Sequence, residues 1–344
     1  FHKDGYREDV QARAVTRDCD VIMKDEHSRR QRVVCIVGPT ACHKTELSIE
    51  LAKRTRGEIV SADSVQVYFH LDIGSAKPTI EERQGIPHHM IDCLPIDTAD
   101  VSVSMFRSMA MDAIDDIVSH GNTPIVVGGS GLYVNALTYP LGFAVPKNEE
   151  IRARVAAEYD QDPLKTYERL KASDPVSAQK LHPNDKKRIV RALEVYDCSG
   201  QPLSSYGADF LNSVGESPAV DPLMIGLTMD REQLYQRINL RVDRMMEQGL
   251  LAEARAIYDA PYQRDLPALR SIGYQQLFAY FDGTCSLEEA VEKIKQDTRR
   301  FAKRQLTWFR RDERITWYDA TNWDNMKDDL IERLAIETLA WMKG

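Results

Sequence analysis

The chain has 344 residues, of which 43% are hydrophobic and 28% are charged, and its formal net charge at pH 7 is −8. This length allows about two domains with a sizeable core, and no run approaches the roughly 18 consecutive apolar residues of a membrane helix, so we expect no membrane insertion. The six cysteines form no C-x-x-C pair, which argues against a zinc ribbon or a disulfide framework and favours a reducing, cytoplasmic setting.

The first part of the chain carries two contrasting segments. Residues 1–31 are polar, charged and aperiodic, and we expect them to form a disordered tail. The run VVCIVG at 33–38 is instead typical of a buried strand, and the apolar spacing from Leu47 to Ala52 predicts a helix after it. The segment GPTACHKT lies between the two, so the predicted order is strand, loop, helix.

This loop is one residue away from the phosphate-binding pattern G-x-x-x-x-G-K-[ST]. In that pattern backbone N–H groups cradle phosphates, the lysine adds positive charge and the hydroxyl holds Mg²⁺. Here His43 stands where the second glycine belongs. The diphosphate-binding residues predicted on this spacing are Gly38, Pro39, Thr40, Ala41, Cys42, His43, Lys44 and Thr45.

Two further apolar runs, EIVSAD at 58–63 and PIVVGG at 124–129, predict buried strands, and HHMIDC at 88–93 is a candidate for another. Between them, one face of a predicted helix carries Val103, Phe106, Met109, Ala110, Ala113, Ile114 and Ile117. Strands that alternate with helices indicate an α/β fold with a mainly parallel sheet. Ligands collect at the carboxyl ends of such strands, so the phosphate-binding loop, Asp63 and residues 128–130 should share one crevice.

The second part of the chain begins with a change of pattern. From about residue 147 to 207 strand signals disappear, and the stretch reads as helices separated by Asp-Pro and His-Pro pairs. We interpret 147–207 as a small all-helical insertion that divides a P-loop NTPase-like core into residues 32–146 and 208–344. PLMIGLTM at 222–229 restores a strand, and C-terminal helices follow it.

Several polar residues could carry chemistry, and each also has a simpler structural interpretation. Asp63 could be a base or a metal ligand, or only a turn or helix-cap aspartate. Arg237, Arg241 and Arg244 share one helix face and could clamp a diphosphate, or could be solvated. The strand PIVV lacks the terminal carboxylate with which ATP-hydrolysing P-loop enzymes hold Mg²⁺, and only Asp92 is available to substitute for it. The missing carboxylate therefore favours a loop that binds a diphosphate other than that of ATP.

Two basic clusters stand out against the negative net charge. One contains Lys186, Lys187, Arg188 and Arg191, and the other is the segment 297–314, DTRRFAKRQLTWFRRDER. Each is either a solvated helix face or a surface that contacts RNA phosphates.

Eight motifs follow one another over most of the chain, from Val33 to about Asp319. They are GPTA-x-x-KT, SADSVQVY, DIGSAKPT, IPHHMID, VVGGSGLYVNAL, HPNDKKRIVRALEVY-x-x-SG, RSIGYQQ and TRRFAKRQLTWFRR. In this order they resemble the tRNA dimethylallyltransferases, also called tRNA isopentenyltransferases. That family transfers a dimethylallyl group from dimethylallyl diphosphate to N6 of the adenosine next to the anticodon in tRNAs that read codons beginning with U.

The resemblance implies a P-loop core with a helical insertion, in which the loop binds the prenyl diphosphate. It implies that Asp63 accepts a hydrogen bond or a proton from the adenine amine, and that Thr40, Lys44 and Arg241 neutralise the diphosphate. Mg²⁺ is the implied cofactor, with Thr45 beside it. The implied tRNA-binding residues are Asp63, Ser64, Val65, Gln66, Ser130, Arg152, Lys187, Arg188, Arg191, Gly273, Tyr274 and Gln275. The partners would be the anticodon stem-loop of tRNA and dimethylallyl diphosphate, and we expect a monomer.

Three other functions stay open. An adenylate isopentenyltransferase would prenylate free AMP, ADP or ATP, although the helical insertion and the segment KRQLTWFRR favour tRNA. A small-molecule P-loop kinase is disfavoured by the missing strand-end carboxylate. The third is a relative that still binds tRNA but is catalytically weakened, because His43 replaces a glycine of the loop.

Cys42 and His43 stand where the family usually has serine and glycine, and the second change is the serious one. A side chain at position 43 adds bulk near the phosphates and, if φ is positive, costs about 1–2 kcal/mol. A protonated imidazole would instead add a favourable charge. We expect the steric cost to dominate at pH 7 to 8, which predicts a weakened site that a glycine at position 43 would improve.

Overall fold

The computed structural model describes residues 30–98, 101–140, 148–206 and 218–344. The predicted tail lies outside this part of the chain except for its last two residues, and Gln31 already begins the first strand.

The described residues form one sheet of six strands. These are β1 (Gln31–Val37), β2 (Gly57–Ser61), β3 (His88–His89), β4 (Thr123–Gly128), β5 (Val220–Thr228) and β6 (Thr316–Asp319). Their order across the sheet is β3-β2-β4-β1-β5-β6, and every neighbouring pair is parallel. The predicted parallel α/β sheet is confirmed, although the candidate strand at 88–93 is only two residues long.

Helices of the described part cover both faces of the sheet and form the insertion. They are α1 (Lys44–Thr55), α2 (Ile80–Arg83), α3 (Val103–Ser119), α4 (Gly131–Thr138), α5 (Glu149–Gln161), α6 (Pro163–Ser173), α7 (Pro175–Lys180), α8 (Lys186–Ser199), α9 (Arg231–Glu247), α10 (Leu250–Asp259), α11 (Tyr274–Phe281), α12 (Leu287–Phe309) and α13 (Trp323–Lys343). Short 3₁₀ turns lie at Leu203–Tyr206 and Pro267–Arg270.

Strand β1 lies in the middle of the sheet and is buried from Val33 onward. Because successive side chains of a strand point to opposite faces, its residues divide between two hydrophobic clusters. Val34 and Ile36 pack with α1 and α13 on one face, whereas Val33, Cys35 and Val37 pack with α3 and α4 on the other. The sheet is therefore covered on both faces, which is the arrangement that parallel sheets require.

The carboxyl ends of the central strands meet at one edge of the sheet. Val37 of β1 is in register with Gly128 of β4 and with Gly226 of β5, and Ser61 of β2 is in register with Val127 of β4. Because all these strands are parallel, the segments that follow β1, β2 and β4 leave the sheet side by side. This brings the phosphate-binding loop, Asp63 and the Gly-Gly-Ser segment to the same edge.

The predicted insertion is helical throughout its described part, residues 148–206. Its helices α5 to α8 pack on one another around a separate cluster of buried residues. These include Val155, Tyr159, Leu170, Ile189 and Leu193. In the described ranges no helix combines the length and the apolar character needed to cross a bilayer.

Candidate active site

The predicted phosphate-binding loop, residues 38–45, connects β1 to α1, and distant side chains hold its backbone. Gln305 of α12 accepts a hydrogen bond from the Thr40 N–H at 2.9 Å, and Arg237 of α9 donates from Nε to the Ala41 carbonyl at 3.0 Å. Ala41 and His43 have left-handed φ values of 63° and 55°. The loop thus adopts backbone angles that favour glycine, at two positions that have none.

Two cations from different elements contact neighbouring residues of the loop, Pro39 and Thr40. Lys44 donates from Nζ to the Pro39 carbonyl at 2.6 Å, and Arg241 of α9 donates from Nη1 to Thr40 Oγ1 at 3.2 Å. Burial is the main cause that lowers the pKa of Lys44 to about 8, and the Arg241 guanidinium acts in the same direction. Burial also lowers the pKa of Arg241. Both groups would gain from a bound anion, because a nearby negative charge favours their charged forms.

Asp63 lies just beyond β2 and lines the same cavity as Thr40, Lys44 and Arg241. Its Oδ1 accepts the backbone N–H groups of Val65 at 2.8 Å and Gln66 at 3.3 Å. The interpretation of Asp63 as a turn-cap aspartate is therefore correct for Oδ1. Oδ2 has no hydrogen-bond partner among the described residues. One oxygen thus fixes the carboxylate, and the other stays available as an acceptor for a ligand.

Gln305 bridges two walls of the cavity and is not among the site residues predicted from the sequence. Its Oε1 accepts from the Thr40 N–H, and its Nε2 donates to the Gly129 carbonyl at 3.1 Å. A Cβ on Gly129 would lie 2.0 Å from Gln305 Nε2, and one on Gly128 would lie 2.1 Å from the Ala62 carbonyl oxygen. At Gly128, the last residue of β4, the Ala62 backbone therefore leaves no room for a side chain, and a side chain at Gly129 would displace the Gln305 amide.

A signal for Gln305 was present in the sequence. Ala302, Gln305 and Phe309 have the spacing of one helix face, and all three are buried on α12. A polar residue on an otherwise apolar face needs hydrogen-bond partners when it is buried. That face therefore marked Gln305 as a residue with a specific contact.

His43 is at the N-terminal cap of α1, and its side chain does not line the cavity. Its ring stacks on Trp323 of α13, with 4.7 Å between ring centroids and 20° between the planes. His43 Nδ1 donates to Glu46 Oε2 at 3.1 Å, and the same oxygen accepts from Trp323 Nε1 at 2.7 Å. Lys327 Nζ donates to the other Glu46 oxygen at 3.3 Å.

These contacts correct part of the expectation for His43. The condition for the steric cost is met, because φ is positive and costs about 1–2 kcal/mol, but the imidazole does not project among the residues that line the cavity. A stacked aromatic pair contributes about 0.5–1.5 kcal/mol beyond its buried area, which is similar in size. Burial lowers the pKa of His43 even though the Glu46 hydrogen bond opposes this, so burial disfavours the protonated ring.

Asp92 does not replace the missing strand-end carboxylate. Its Oδ1 accepts from Lys77 Nζ at 2.6 Å, and Asp92 is not among the residues that line the cavity. The carboxylate in the cavity is Asp63.

The side chain of Tyr274, one of the predicted tRNA-binding residues, has no exposed surface. This side chain is completely buried, and its hydroxyl donates to Glu253 Oε1 at 2.6 Å. Gly273 is buried as well, and its N–H donates to Gln276 Oε1 at 2.9 Å. Of the three predicted residues in this segment, only Gln275 is exposed.

Among the predicted tRNA-binding residues, Asp63 and Gln66 line the cavity, and the others lie outside it. Gln66 lines the cavity and donates from Nε2 to the Ser75 and Ala76 carbonyls at 3.3 and 3.2 Å, while Ser130 Oγ accepts from the Ser64 N–H at 3.2 Å. The predicted residues that do not line the cavity are Ser64, Val65, Ser130, Arg152, Lys187, Arg188, Arg191, Gly273, Tyr274 and Gln275.

In the insertion, two of the predicted arginines serve a buried carboxylate. Glu194 is completely buried, and its oxygens pair with Arg152 Nη2 at 2.9 Å and Arg191 Nη1 at 3.0 Å. Lys187 and Arg188 are instead exposed on α8, and Arg188 has only an i,i+3 pair with Asp185 at 3.3 Å. Lys187 and Arg188 can therefore reach a phosphate without breaking a buried ion pair, as can Lys186, whose pair with Asp160 is exposed.

The residues of the loop fit a Mg²⁺ ion that is shared with a substrate. Mg²⁺ prefers oxygen ligands and is usually held by one or two protein groups together with substrate phosphates. Thr45 is exposed and lines the cavity, and its hydroxyl makes no hydrogen bond within the described part of the chain. In that part no group of three or more His, Cys, Asp or Glu residues could hold a metal by itself.

Comparison with known proteins agrees with the geometry. The IPP transferase family model matches residues 66–312. The chain is 43% identical over 314 residues to the tRNA dimethylallyltransferase of Anoxybacillus flavithermus, which covers 91% of this chain and 97% of that protein.

Two solved structures are similar over most of the chain. One is the full-length tRNA isopentenylpyrophosphate transferase from Bacillus halodurans, with a TM-score of 0.66, 39% identity and coverage of 92% of this chain and 99% of that one. The other is a eukaryotic dimethylallyltransferase acting on tRNA, with a TM-score of 0.76, 31% identity and coverage of 88% of this chain and 77% of that one. The chain therefore belongs to the IPP transferase family, which includes the tRNA dimethylallyltransferases.

Proposed function

We propose that this protein transfers a dimethylallyl group from dimethylallyl diphosphate to N6 of the adenosine next to the anticodon, in tRNAs that read codons beginning with U. The observation that carries the proposal is a single cavity with two chemically different walls. One wall has the loop with Lys44 and Arg241, which suit a diphosphate, and the other has Asp63 with an available oxygen, which suits an amine.

The donor side must make the diphosphate a good leaving group. As the bond between the dimethylallyl carbon and the diphosphate oxygen breaks, negative charge grows on that oxygen, and preorganised donors stabilise it. Arg241 and the Thr40 hydroxyl are already in hydrogen-bond contact, and Lys44 is held at the Pro39 carbonyl. When it is bound with the diphosphate, Mg²⁺ would supply further positive charge to the phosphate oxygens, with Thr45 as its protein ligand.

The acceptor side must orient a weak nucleophile. An aromatic exocyclic amine becomes positively charged when it forms the new C–N bond, and it must then lose one proton. We propose that Asp63 accepts the hydrogen bond from N6 and takes this proton. The backbone N–H groups of Val65 and Gln66 keep the carboxylate in place. A loop adenosine reaches such a cavity by leaving its stack, at a cost of a few kcal/mol.

We propose that the anticodon stem-loop contacts basic residues of two elements. Lys187 and Arg188 are exposed on α8 of the insertion, and Lys303 and Arg304 are exposed on α12. Helix α12 also contributes Gln305 to the cavity, so one helix carries both a cavity residue and exposed cations. We expect a monomer that acts in the cytoplasm on free tRNA.

Replacement of Lys187 and Arg188 by glutamine should weaken tRNA binding and flatten its dependence on salt. Each phosphate contact that is lost reduces the log–log slope by roughly 0.7–0.9, because fewer counterions are released. The measurement is the dissociation constant for tRNA at several salt concentrations. Lys165, an exposed lysine on α6, is the matched control, and its glutamine variant should keep the slope. An unchanged slope in the double variant would mean that the α8 cations are only solvated.

The pKa of Lys44 predicts a loss of donor binding at high pH. A bound diphosphate favours the protonated lysine, so binding is complete below the pKa of about 8 in the free protein and weakens above it. We expect kcat/KM for dimethylallyl diphosphate to fall by up to about tenfold per pH unit above pH 8. The Lys44→Arg variant keeps its positive charge at high pH. Its kcat/KM should therefore not fall above pH 8, whatever activity the variant retains. A flat profile of the native protein up to pH 9.5 would contradict the assignment.

The function itself is tested by incubating the protein with labelled dimethylallyl diphosphate and Mg²⁺, and with either tRNA or AMP as acceptor. We expect label in the tRNA and none in AMP. Label in AMP alone would identify an adenylate isopentenyltransferase. Binding of tRNA without transfer would identify a catalytically weakened relative, and phosphorylation of an acceptor by ATP would identify a kinase.

A further inference from the structure

We infer that the C-terminal helix α13 is part of the donor site, because Trp323 stacks on His43 and holds the left-handed cap conformation of the phosphate-binding loop. His43 and Trp323 are then a pair of positioning residues for the diphosphate. This inference rests on the proposed function of the loop, and it gives the non-glycine residue at position 43 a role.

The first observation is the backbone. His43 has a φ of 55° at the cap of α1, where Lys44 and Thr45 follow it directly. This conformation costs free energy for a non-glycine residue, and such a residue relaxes from it unless other contacts stabilise it. A change of φ at position 43 would turn both following residues, one of which carries the loop's positive charge and the other its metal-binding hydroxyl.

The second observation is a set of contacts among residues that do not line the cavity. The His43 side chain is only 11% exposed, and Trp323 is 3% exposed. Glu46 Oε2 accepts from both rings, so the carboxylate fixes the orientation of each ring against the other. Lys327, one turn further along α13, donates to the same carboxylate group.

The third observation is that α13 is itself firmly attached to the core. Its residues Leu330, Ile331 and Leu334 are buried in the same cluster as β1 and α1. The packing of α13 thus fixes the position of Trp323, and Trp323 restrains the His43 ring that stacks on it. Because the ring is restrained, the backbone of the loop at position 43 is restrained as well. A purely structural stack would stabilise the fold but would have no specific effect on the diphosphate.

A set of variants at position 43 tests the role of the ring. His43→Ala keeps the cost of positive φ and removes the ring, and we expect it to raise KM for dimethylallyl diphosphate about tenfold, the effect of roughly one lost contact. His43→Gly removes both the ring and the cost of the positive φ. Its KM for dimethylallyl diphosphate should therefore lie within about threefold of the native value. KM for tRNA should change by less than about twofold in both variants.

A double-mutant cycle tests the role of Trp323. Trp323→Leu in the native background should raise KM for dimethylallyl diphosphate about tenfold, but less than about threefold in the His43→Gly background, since the glycine needs no support. Trp341→Leu is the matched control, because Trp341 lies at the other end of α13 beside Arg32. It should lower the melting temperature without changing this KM.

Either experiment can overturn the inference. An equal KM for the native protein and His43→Ala, or an equal effect of Trp323→Leu in the two backgrounds, would reduce the stack to a structural contact. If Trp323→Leu does not fold, the series at position 43 decides alone. A native protein that transfers nothing to tRNA would instead overturn the proposed function.

Discussion

Replacement of Asp63 by asparagine is expected to lower kcat for tRNA prenylation by about 10²–10⁴-fold, the usual contribution of a positioned acid–base group. The asparagine oxygen can still accept the Val65 and Gln66 N–H groups that Asp63 Oδ1 accepts now, so the turn should persist. What is lost is the negative charge and the ability to take a proton from N6. Single-turnover rates at saturating tRNA and donor would measure this step directly.

Asp221 provides the control for this substitution. It lies at the start of β5, where its carboxylate is exposed and 3.9 Å from Arg32, and Asp221→Asn should leave kcat within about twofold, as for most surface substitutions. Near-native turnover of Asp63→Asn would show that the carboxylate is only a turn cap. A reduced melting temperature that accounts for the loss would lead to the same conclusion.

Replacement of Arg241 by alanine is expected to lower kcat by about 10²–10³-fold, which is typical for the loss of one donor to developing negative charge. The half-buried guanidinium donates to Thr40 Oγ1, so it lies at the loop and not on the outer surface. Because its main contribution grows as the C–O bond breaks, kcat should change more than KM for tRNA does. Steady-state kinetics with each substrate varied in turn would separate the two effects.

Arg244 is the matched control, since it lies one turn further along α9 and is exposed. Arg244→Ala should leave kcat nearly unchanged. Arg241→Lys should recover part of the loss, because a lysine keeps the charge but not the fork of donors. An effect of Arg241→Ala confined to KM for tRNA would move Arg241 from the diphosphate to the RNA surface.

Most of the sheet could be predicted from the sequence. Strands β1, β2, β4 and β5 are apolar runs, and burial on both faces makes such runs continuous and easy to recognise. Strand β6 was missed, because Thr316–Asp319 is short, lies at the edge of the sheet and is only partly buried. Edge strands carry little of the apolar pattern on which the prediction depends.

The candidate site, like the sheet, has a part that the sequence predicts and a part that it does not. The loop, Lys44 and Asp63 follow strand ends directly, and a parallel sheet brings such ends together whatever else packs around them. The order of motifs along the chain also identified the family, and the resemblance to it implies the proposed role of Arg241. These conclusions need only local patterns and the topology of the sheet.

Other features depend on contacts between residues that are far apart in the chain, and only the tertiary structure decided them. Tyr274 looks like an exposed motif residue in the sequence, but it is buried against Glu253. His43 looks like a defect in the loop, but its ring leaves the cavity and stacks on Trp323. The sequence by itself determined which chemistry this protein carries and where the strands place it. Which side chains face the substrate depends on packing, because each partner sits on another element whose position no local pattern specifies.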